Sequence, residues 1–174
     1  MNRHSTRSVG WSGAGLIMKL EFRKGRREDA AALTELARAS KASWGYPAAW
    51  QDAWAASLLV APDYIGRELV RVAMQGHDLV GFYALVRRGG GWMLDHFWVH
   101  PTFQGRGAGR AMFEHLTGCV RTTGPGVVLI EADPNAAGFY AHMGAREVGH
   151  VPAPVEGDPS RRLPVFEVRV ESWP

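Results

Sequence analysis

The stretch HPTFQGRGAGR, residues 100–110, says more about the fold than any other part of the sequence. It follows the strand-like run WMLDHFWV (residues 92–99) and leads into an amphipathic segment that ends near Arg121. Several glycines together allow another molecule to approach the main chain closely. The first amides of a helix have no partner within it, and the helix dipole is positive at that end. We therefore predict a strand, a glycine-rich loop and a helix that together bind an anion.

The segments on either side of this stretch alternate between strand and helix patterns. Strands are expected at residues 20–23, over both arms of a hairpin at 68–88, and at 89–100, 126–132, 146–151 and 165–170. Helices are expected at residues 27–40, from about residue 47, at 107–121 and at 133–144, where Asp133 is the predicted N-cap. The wholly apolar strand 126–132 is expected to be buried on both faces. The order β-α-α-β-β-β-α-β-α-β-β predicts one α/β domain with a mixed central β-sheet flanked by helices.

Three phosphate-binding loops can be compared with residues 100–110. The nucleoside-triphosphate loop needs a lysine after its last glycine, and no such lysine is present. The dinucleotide fingerprint Gly-x-Gly-x-x-Gly can start at Gly105 but fails at its last position, which is Arg110. The segment QGRGAG (residues 104–109) instead resembles the pyrophosphate loop Gln/Arg-x-x-Gly-x-Gly/Ala of the GNAT superfamily of N-acetyltransferases, which bind acetyl-coenzyme A (acetyl-CoA).

The resemblance extends over residues 19–170. LDHFWVHPTFQGRGAGRAMFEHL (residues 94–116) is similar to the family's central strand, loop and helix, and NAAGFYAHMGA (residues 135–145) to its next helix, although Ala145 replaces the family's usual Phe. It implies a GNAT domain at residues 18–174 and an acyltransferase that passes the acetyl group of acetyl-CoA directly to a primary amine of a small molecule or peptide in a ternary complex. Two alternatives stay open: an acyl-CoA-binding regulatory module without turnover, and transfer of a longer acyl group.

The resemblance also implies which residues hold acetyl-CoA. Loop amides face the pyrophosphate, Arg106 or Arg110 adds charge, and the preceding strand and Asn135 bind the pantetheine arm. The implied cofactor-binding residues are Phe97, Trp98, Val99, Gln104, Gly105, Arg106, Gly107, Ala108, Gly109, Arg110, Asn135 and Tyr140. We expect no metal ion, because His96 and His100 are four residues apart on a strand and do not form a chelating pair.

Amide formation needs a neutral amine, a polarised carbonyl and a proton for the departing thiolate. Tyr140 stands at the family's tyrosine, and the resemblance implies that it donates this proton. Asp95 and His96 lie on the strand where many relatives carry a carboxylate, and either is a candidate base. A base elsewhere that acts through water is the third possibility. Because neighbours on a strand point to opposite faces, we expect only one of the two to face the substrate.

Four aromatic side chains lie close together in SWGYPAAWQDAW, residues 43–54: Trp44, Tyr46, Trp50 and Trp54. The resemblance puts this segment beside the acceptor site and implies Trp44, Tyr46 and Trp50 as substrate-binding residues. Aromatic walls would suit an apolar or a cationic amine, the latter through its charge over a ring face. The alternative is that the rings only cover the sheet.

Length and composition limit the other functions. The chain has 174 residues, enough for one domain, and a formal net charge of +3. This charge suits an acidic ligand but is too small to predict nucleic-acid binding. The single cysteine, Cys119, excludes an internal disulfide and fits the cytoplasm.

No apolar run is long enough to predict a membrane span, and a homodimer is compatible with the sequence. Residues 1–17 are expected to be a disordered tail or a start assigned too early, because Met18 directly precedes the first strand.

Overall fold

The computed structural model describes residues 18–171, so the expectation for residues 1–17 lies outside the described residues. Its strands are β1 (Glu21–Lys24), β2 (Leu69–Gln75), β3 (Asp78–Arg88), β4 (Gly91–Val99), β5 (Gly126–Glu131), β6 (Arg146–Pro152) and β7 (Arg162–Val170). Its α-helices are α1 (Ala30–Ala42), α2 (Ala48–Ala53), α3 (Pro62–Arg67), α4 (Ala108–Thr123) and α5 (Ala137–His142). The order agrees with the predicted one except for α3, a six-residue helix with proline at its first position that the sequence reading missed.

All seven strands form one mixed sheet in the order β1-β2-β3-β4-β5-β7-β6, which confirms the predicted fold class. Neighbouring strands are antiparallel except β4 and β5, which are parallel. These two strands pair only at residues 92–94 of β4 and 128–130 of β5. Beyond this short contact they separate, so the sheet consists of two halves with a cleft between them.

Helices cover the sheet on both faces of the half that contains β2, β3 and β4. On one face, α1 buries Leu33 and Leu36 against the strands. On the other, α4 buries Phe113 and Leu116. Each such side chain contributes about 1.5–3 kcal/mol when fully removed from water, and this burial holds α1 and α4 beside the cleft.

Strand β5 is covered on one face only, so the expectation that it is buried on both faces is wrong. Val128 and Ile130 are buried in the core, whereas Leu129 between them is 36% exposed and Glu131 is also exposed. The apolar run reflects burial of alternate residues next to α4 and α5, together with an exposed leucine on the outer face.

Strand β4 contains a β-bulge at Asp95. Leu94 pairs with Leu85 and His96 pairs with Ala84, which leaves Asp95 without a residue opposite it on β3. The extra residue shifts the alternation of side chains along the strand. Leu94 and Phe97 consequently both pack on the α4 and α5 side, although their positions differ by three and a regular strand would place them on opposite faces.

Candidate active site

A cleft of about 600 Å³ opens where β4 and β5 separate. Its walls come from residues 94–95 and 97–99 of β4, residues 130–133 at the end of β5, the glycine-rich loop, α5, and Ser40 and Trp44 at the end of α1. This volume lies within the usual range of small-molecule sites. The cleft therefore brings together the parts of the sequence that the resemblance connects with acetyl-CoA.

The three loop glycines serve two different purposes. Gly105 and Gly107 have φ values of 70° and 86°, and an added Cβ would meet nothing within 4 Å at either position. They are required by the left-handed backbone that turns the chain into α4. At Gly109, by contrast, a Cβ would lie 3.2 Å from Cε2 of Phe139. This glycine lets α5 pack against the start of α4, at the edge of the cleft.

The side chain of Gln104 fixes the loop to its surroundings. Its Nε2 donates to the carbonyl oxygen of Val99 at 3.1 Å and to Oγ of Ser40 at 3.3 Å. The loop is therefore attached to both β4 and α1. Arg110 pairs with Glu114 at 2.8 Å on the surface, where such pairs contribute little, and Arg106 is exposed. Neither guanidinium is buried, so both can approach an anion at the loop.

The main chain of β4 faces the cleft beyond Leu94. On one side β4 pairs with β3 as far as Val99, but its pairing with β5 ends at Leu94. An extended molecule could therefore add to this open strand edge as a further strand would. Phe97 holds the strand in place, because its ring packs 5.6 Å from that of Phe139 and 6.1 Å from that of Tyr140.

Tyr140 is both a core residue and a cleft residue. Its ring lies 5.2 Å from Phe139 and 6.0 Å from Phe166, only 6% of the residue is exposed, and it lines the cleft. Burial raises the pKa of its hydroxyl above the usual value. The group is thus protonated at neutral pH and can donate a hydrogen bond or a proton to a molecule in the cleft.

Asp95 and His96 lie on the same side of the sheet, so the expectation that they point to opposite faces is wrong. Oδ2 of Asp95 is 3.9 Å from Nε2 of His96. Tyr64 on α3 contacts both: its hydroxyl donates to Oδ2 of Asp95 at 2.6 Å, and its ring lies edge-on to His96 at 5.6 Å. The bulge is the cause, because the two residues together oppose a single position on β3.

The surroundings of the two candidate bases differ. His96 is 6% exposed, and its Nδ1 accepts a hydrogen bond from Nε1 of Trp98 at 3.0 Å, which leaves the ring proton on Nε2. Burial lowers the pKa of His96, with the nearby Asp95 carboxylate acting in the opposite direction. His96 is therefore neutral and has no lone pair free, whereas the Asp95 side chain is 40% exposed and lines the cleft.

Of the three aromatic residues expected to bind substrate, Trp44 lines the cleft, whereas Tyr46 and Trp50 are not among its lining residues. A cation already occupies the aromatic cluster. Nζ of Lys41 is 5.1 Å from the ring centres of Trp44 and Tyr46 and 4.1 Å from that of Trp54. The cation–π contact expected for a substrate is thus made by the protein's own lysine.

Asp133 joins this aromatic cluster to the cleft. It is the N-cap of a 3₁₀ turn at Pro134–Ala136, a turn that precedes α5 in place of the first part of the predicted helix. Its carboxylate also lies 2.5 Å from Nζ of Lys41 and 3.3 Å from Nη2 of Arg161, and it accepts from the hydroxyl of Tyr46 at 2.7 Å. The side chains of Lys41, Asp133 and Arg161 are at most 10% exposed.

Burial alone would raise the pKa of Asp133, but hydrogen bonds from Lys41, the Asn135 amide and Tyr46 outweigh it and hold that pKa below its usual value. For Lys41, burial has the larger effect and lowers the pKa of its amine, although the Asp133 carboxylate acts in the opposite direction. The side-chain amide of Asn135, expected to bind pantetheine, donates to the hydroxyl of Tyr46 at 2.7 Å. Asn135 lines the cleft, and this bond uses one of the two N–H groups of its side-chain amide.

Residues 18–171 contain neither a metal-binding cluster nor a membrane-spanning helix. No group of three or more His, Cys, Asp or Glu side chains in this range could hold a metal ion. None of the helices in the same range is both long and apolar enough to cross a membrane.

Comparison with known proteins identifies the family. Residues 33–153 match the model of the acetyltransferase (GNAT) domain. A GCN5-related N-acetyltransferase from Rhodopseudomonas palustris is 22% identical, with a TM-score of 0.74 over 88% of this chain and 98% of that chain. The PaiA N-acetyltransferase from Thermoplasma acidophilum, solved in complex with coenzyme A, is 19% identical, with a TM-score of 0.66 over 87% of this chain and 99% of that chain.

The ribosomal-protein-S18-alanine N-acetyltransferase from Escherichia coli is 17% identical, with a TM-score of 0.67 over 90% of this chain and 97% of that chain. At these identities the structural likenesses establish the fold alone. No curated protein matches the sequence. Because the domain model covers most of the chain, the protein belongs to the GNAT family of acetyltransferases and is an acyltransferase.

Proposed function

We propose that the protein transfers an acetyl group from acetyl-CoA to a primary amine by direct attack within a ternary complex. The observation that carries this proposal is the single cleft between β4 and β5, which has the glycine-rich loop and the start of α4 at one end and Asp95 at the other. A related fold solved with coenzyme A, that of PaiA, supports the choice of co-substrate.

The residues present fit acetyl-CoA. The start of α4, preceded by two glycines with positive φ, offers unpaired amides and a positive dipole to a pyrophosphate. The open edge of β4 at residues 95–99 offers main-chain groups to an extended pantetheine arm. The thioester then lies toward Tyr140 and Asp95, and it supplies the acetyl group.

Two side chains would move the protons. Asp95 takes a proton from the ammonium group of the acceptor, because its carboxylate reaches the cleft and has no Lys or Arg partner among the described residues. The amine nitrogen then forms its bond to the acetyl carbon as the carbon–sulfur bond breaks, and the second proton that this nitrogen releases restores the Tyr140 hydroxyl. Tyr140 donates a proton to the departing thiolate, and its raised pKa keeps that proton available at neutral pH.

The first test is a thermal-shift titration with acetyl-CoA. At a hundredfold excess over Kd, binding stabilises by about 2.7 kcal/mol, which corresponds to roughly 5–10 °C for a domain of this size. Gly107→Trp is expected to abolish the shift. Gly76→Trp is the matched control, because Gly76 also has a positive φ (60°) and open surroundings but lies in the β2–β3 turn, away from the cleft. No shift with folded wild-type protein would refute the proposal.

The second test measures thiol release with a panel of amines. Tyr140→Phe and Asp95→Asn are each expected to lower kcat by roughly 10²–10⁴-fold, the usual contribution of a general acid or base. Binding of acetyl-CoA without thiol release from any amine would favour a regulatory module. Faster release from a longer acyl-CoA would favour transfer of a longer acyl group.

A further inference from the structure

Two segments from opposite halves of the sheet meet across the α1 side of the cleft. Residues 44–54 follow α1, which packs on the half of the sheet that contains β4. Residues 153–161 connect β6 to β7, in the half that contains β5. The gap between β4 and β5 separates these halves beyond residues 94 and 130. A contact between the two segments therefore spans the cleft.

Several contacts make this connection, which we call the bridge: Lys41, Tyr46 and Trp50 on one side, and Asp133, Glu156 and Arg161 on the other. Nε1 of Trp50 donates to the carbonyl oxygen of Glu156 at 2.7 Å. The hydroxyl of Tyr46 donates to Asp133 at 2.7 Å, and Nζ of Lys41 lies 2.5 Å from the same carboxylate, which Arg161 also contacts from its own side of the cleft. The bridge combines a main-chain anchor with a buried ion pair.

Aromatic packing makes the bridge rigid. The rings of Tyr46 and Trp50 are 5.7 Å apart, and the Arg161 guanidinium lies 5.0 Å from the ring centre of Trp54. Buried, charge-assisted contacts of this kind are costly to break, because each leaves an uncompensated charge away from water. An acceptor therefore has to fit the cleft with the bridge closed.

The opening that is left on this side lies between Trp44, Trp98 and Asp95. All three line the cleft, and the two indole rings are 6.0 Å apart. Trp98 is held by its hydrogen bond to His96, and the Asp95 carboxylate by its bond from Tyr64. The opening thus has two fixed aromatic surfaces and one carboxylate that no Lys or Arg in the described residues neutralises.

We propose that the acceptor is a small amine with an apolar or aromatic body, and that the bridge excludes polypeptide acceptors. The inference rests on the proposed acetyl transfer and narrows its substrate class. The aromatic body packs against the surface that Trp44 and Trp98 form together, and the ammonium group pairs with Asp95. A peptide needs room for the chain that continues beyond its reacting amine, and the bridge occupies that path on the β5 side.

The test compares coenzyme A conjugates that occupy both halves of the cleft. Coenzyme A is joined through its sulfur and a two-carbon linker to the nitrogen of phenethylamine, or to the N-terminus or a lysine side chain of a hexapeptide. The nitrogen stays cationic in all three. Calorimetry measures the Kd of each compound for the wild-type protein. We expect the phenethylamine conjugate to bind at least tenfold more tightly than free coenzyme A. We expect both peptide conjugates to bind at least tenfold more weakly than the phenethylamine conjugate.

Variants link these affinities to the structure. Trp50→Ala removes the anchor to Glu156 and is expected to bring the peptide conjugates to within about threefold of the phenethylamine conjugate. Trp50→Phe keeps an aromatic ring but loses the donor, and is expected to fall in between. Asp95→Asn should weaken the phenethylamine conjugate about tenfold and leave free coenzyme A unchanged.

Two results would overturn the inference in different ways. If a peptide conjugate binds the wild type as tightly as the phenethylamine conjugate while coenzyme A binds normally, acetyl transfer stands and the substrate class is wrong. If neither coenzyme A nor any conjugate binds, the proposed function itself fails and the inference falls with it. Unequal binding that Trp50→Ala leaves unchanged would show that the bridge does not select the acceptor.

Discussion

Replacing Lys41 with methionine is expected to destabilise the protein by about 2–4 kcal/mol. Nζ of Lys41 lies 2.5 Å from Asp133, and the two side chains are only 10% and 7% exposed. Removing one partner of a buried pair costs about 3–5 kcal/mol, because the other charge loses its compensation. Arg161 lies 3.3 Å from the same carboxylate oxygen and offsets part of that cost. Methionine keeps the apolar stem but loses the cation 4.1 Å from Trp54.

Urea and thermal unfolding, followed by tryptophan fluorescence, measure this loss. One kcal/mol corresponds to about 2–4 °C in Tm for a domain of this size, so a fall of roughly 5–15 °C is expected. Lys19→Met is the matched control, because Lys19 is exposed, and it should change stability by less than about 0.5 kcal/mol. A double-mutant cycle with Asp133→Asn should give a coupling energy above about 1 kcal/mol.

The reasoning would be refuted by a loss of less than about 1 kcal/mol in Lys41→Met, or by additivity with Asp133→Asn. Either outcome would mean that desolvation of the two charges cancels their attraction. The bridge would then owe its stability to the aromatic packing and to the hydrogen bonds that Tyr46 and Trp50 donate to Asp133 and Glu156.

Three more predictions use other contacts. Gly118→Ala, in an open part of α4, should raise the free energy of unfolding by about 0.5–1 kcal/mol. Gly109→Ala should not, because its Cβ would press on Phe139. Thermal unfolding of the two variants measures the difference. The pKa of Asp133 is lowered in the folded state, so its stabilisation is full above about pH 4 and is lost as the pH falls through that lowered value. Urea unfolding from pH 5 to 2 should therefore show a smaller loss in Asp133→Asn than in the wild type. Tyr64→Phe removes one hydrogen bond of about 1 kcal/mol from the candidate base Asp95. In thiol-release assays it should lower kcat about fivefold without changing the KM for acetyl-CoA. An unchanged kcat would contradict a role for Tyr64 in positioning Asp95.

The parts of the fold that depend on local pattern were predictable. Glycines, strand residues and helix residues follow one another within residues 94–116, so the strand, the loop and the helix could be recognised together. Tyr140 was predictable from its own helix in the same way. Its placement in the cleft agrees with its assigned role, and the role itself stays a prediction.

The contacts between distant residues were not predictable. Lys41 is separated from Asp133 by 92 positions, and no short motif connects them. From the sequence, the aromatic segment could therefore be interpreted as a wall for an apolar or cationic amine or as a cover for the sheet, whereas in the structure a lysine of the chain lies against it. Tyr64 was missed for the same reason: it lies 31 positions from Asp95, on a helix too short to give a clear pattern.

The bulge at Asp95 adds one residue to β4 that has no partner on β3, while the residues on both sides of it stay paired. Leu94, just before the bulge, and Phe97, just after it, both face the core under α4 and α5. The strand can thus keep apolar residues on that face along its length and still deliver two adjacent polar residues, Asp95 and His96, to the opposite one. Deleting Asp95 would leave Leu94, His96 and Phe97 opposite the same residues of β3 and on the same faces as before. The bulge therefore adds a carboxylate to the cleft wall without disturbing the register of the rest of the strand.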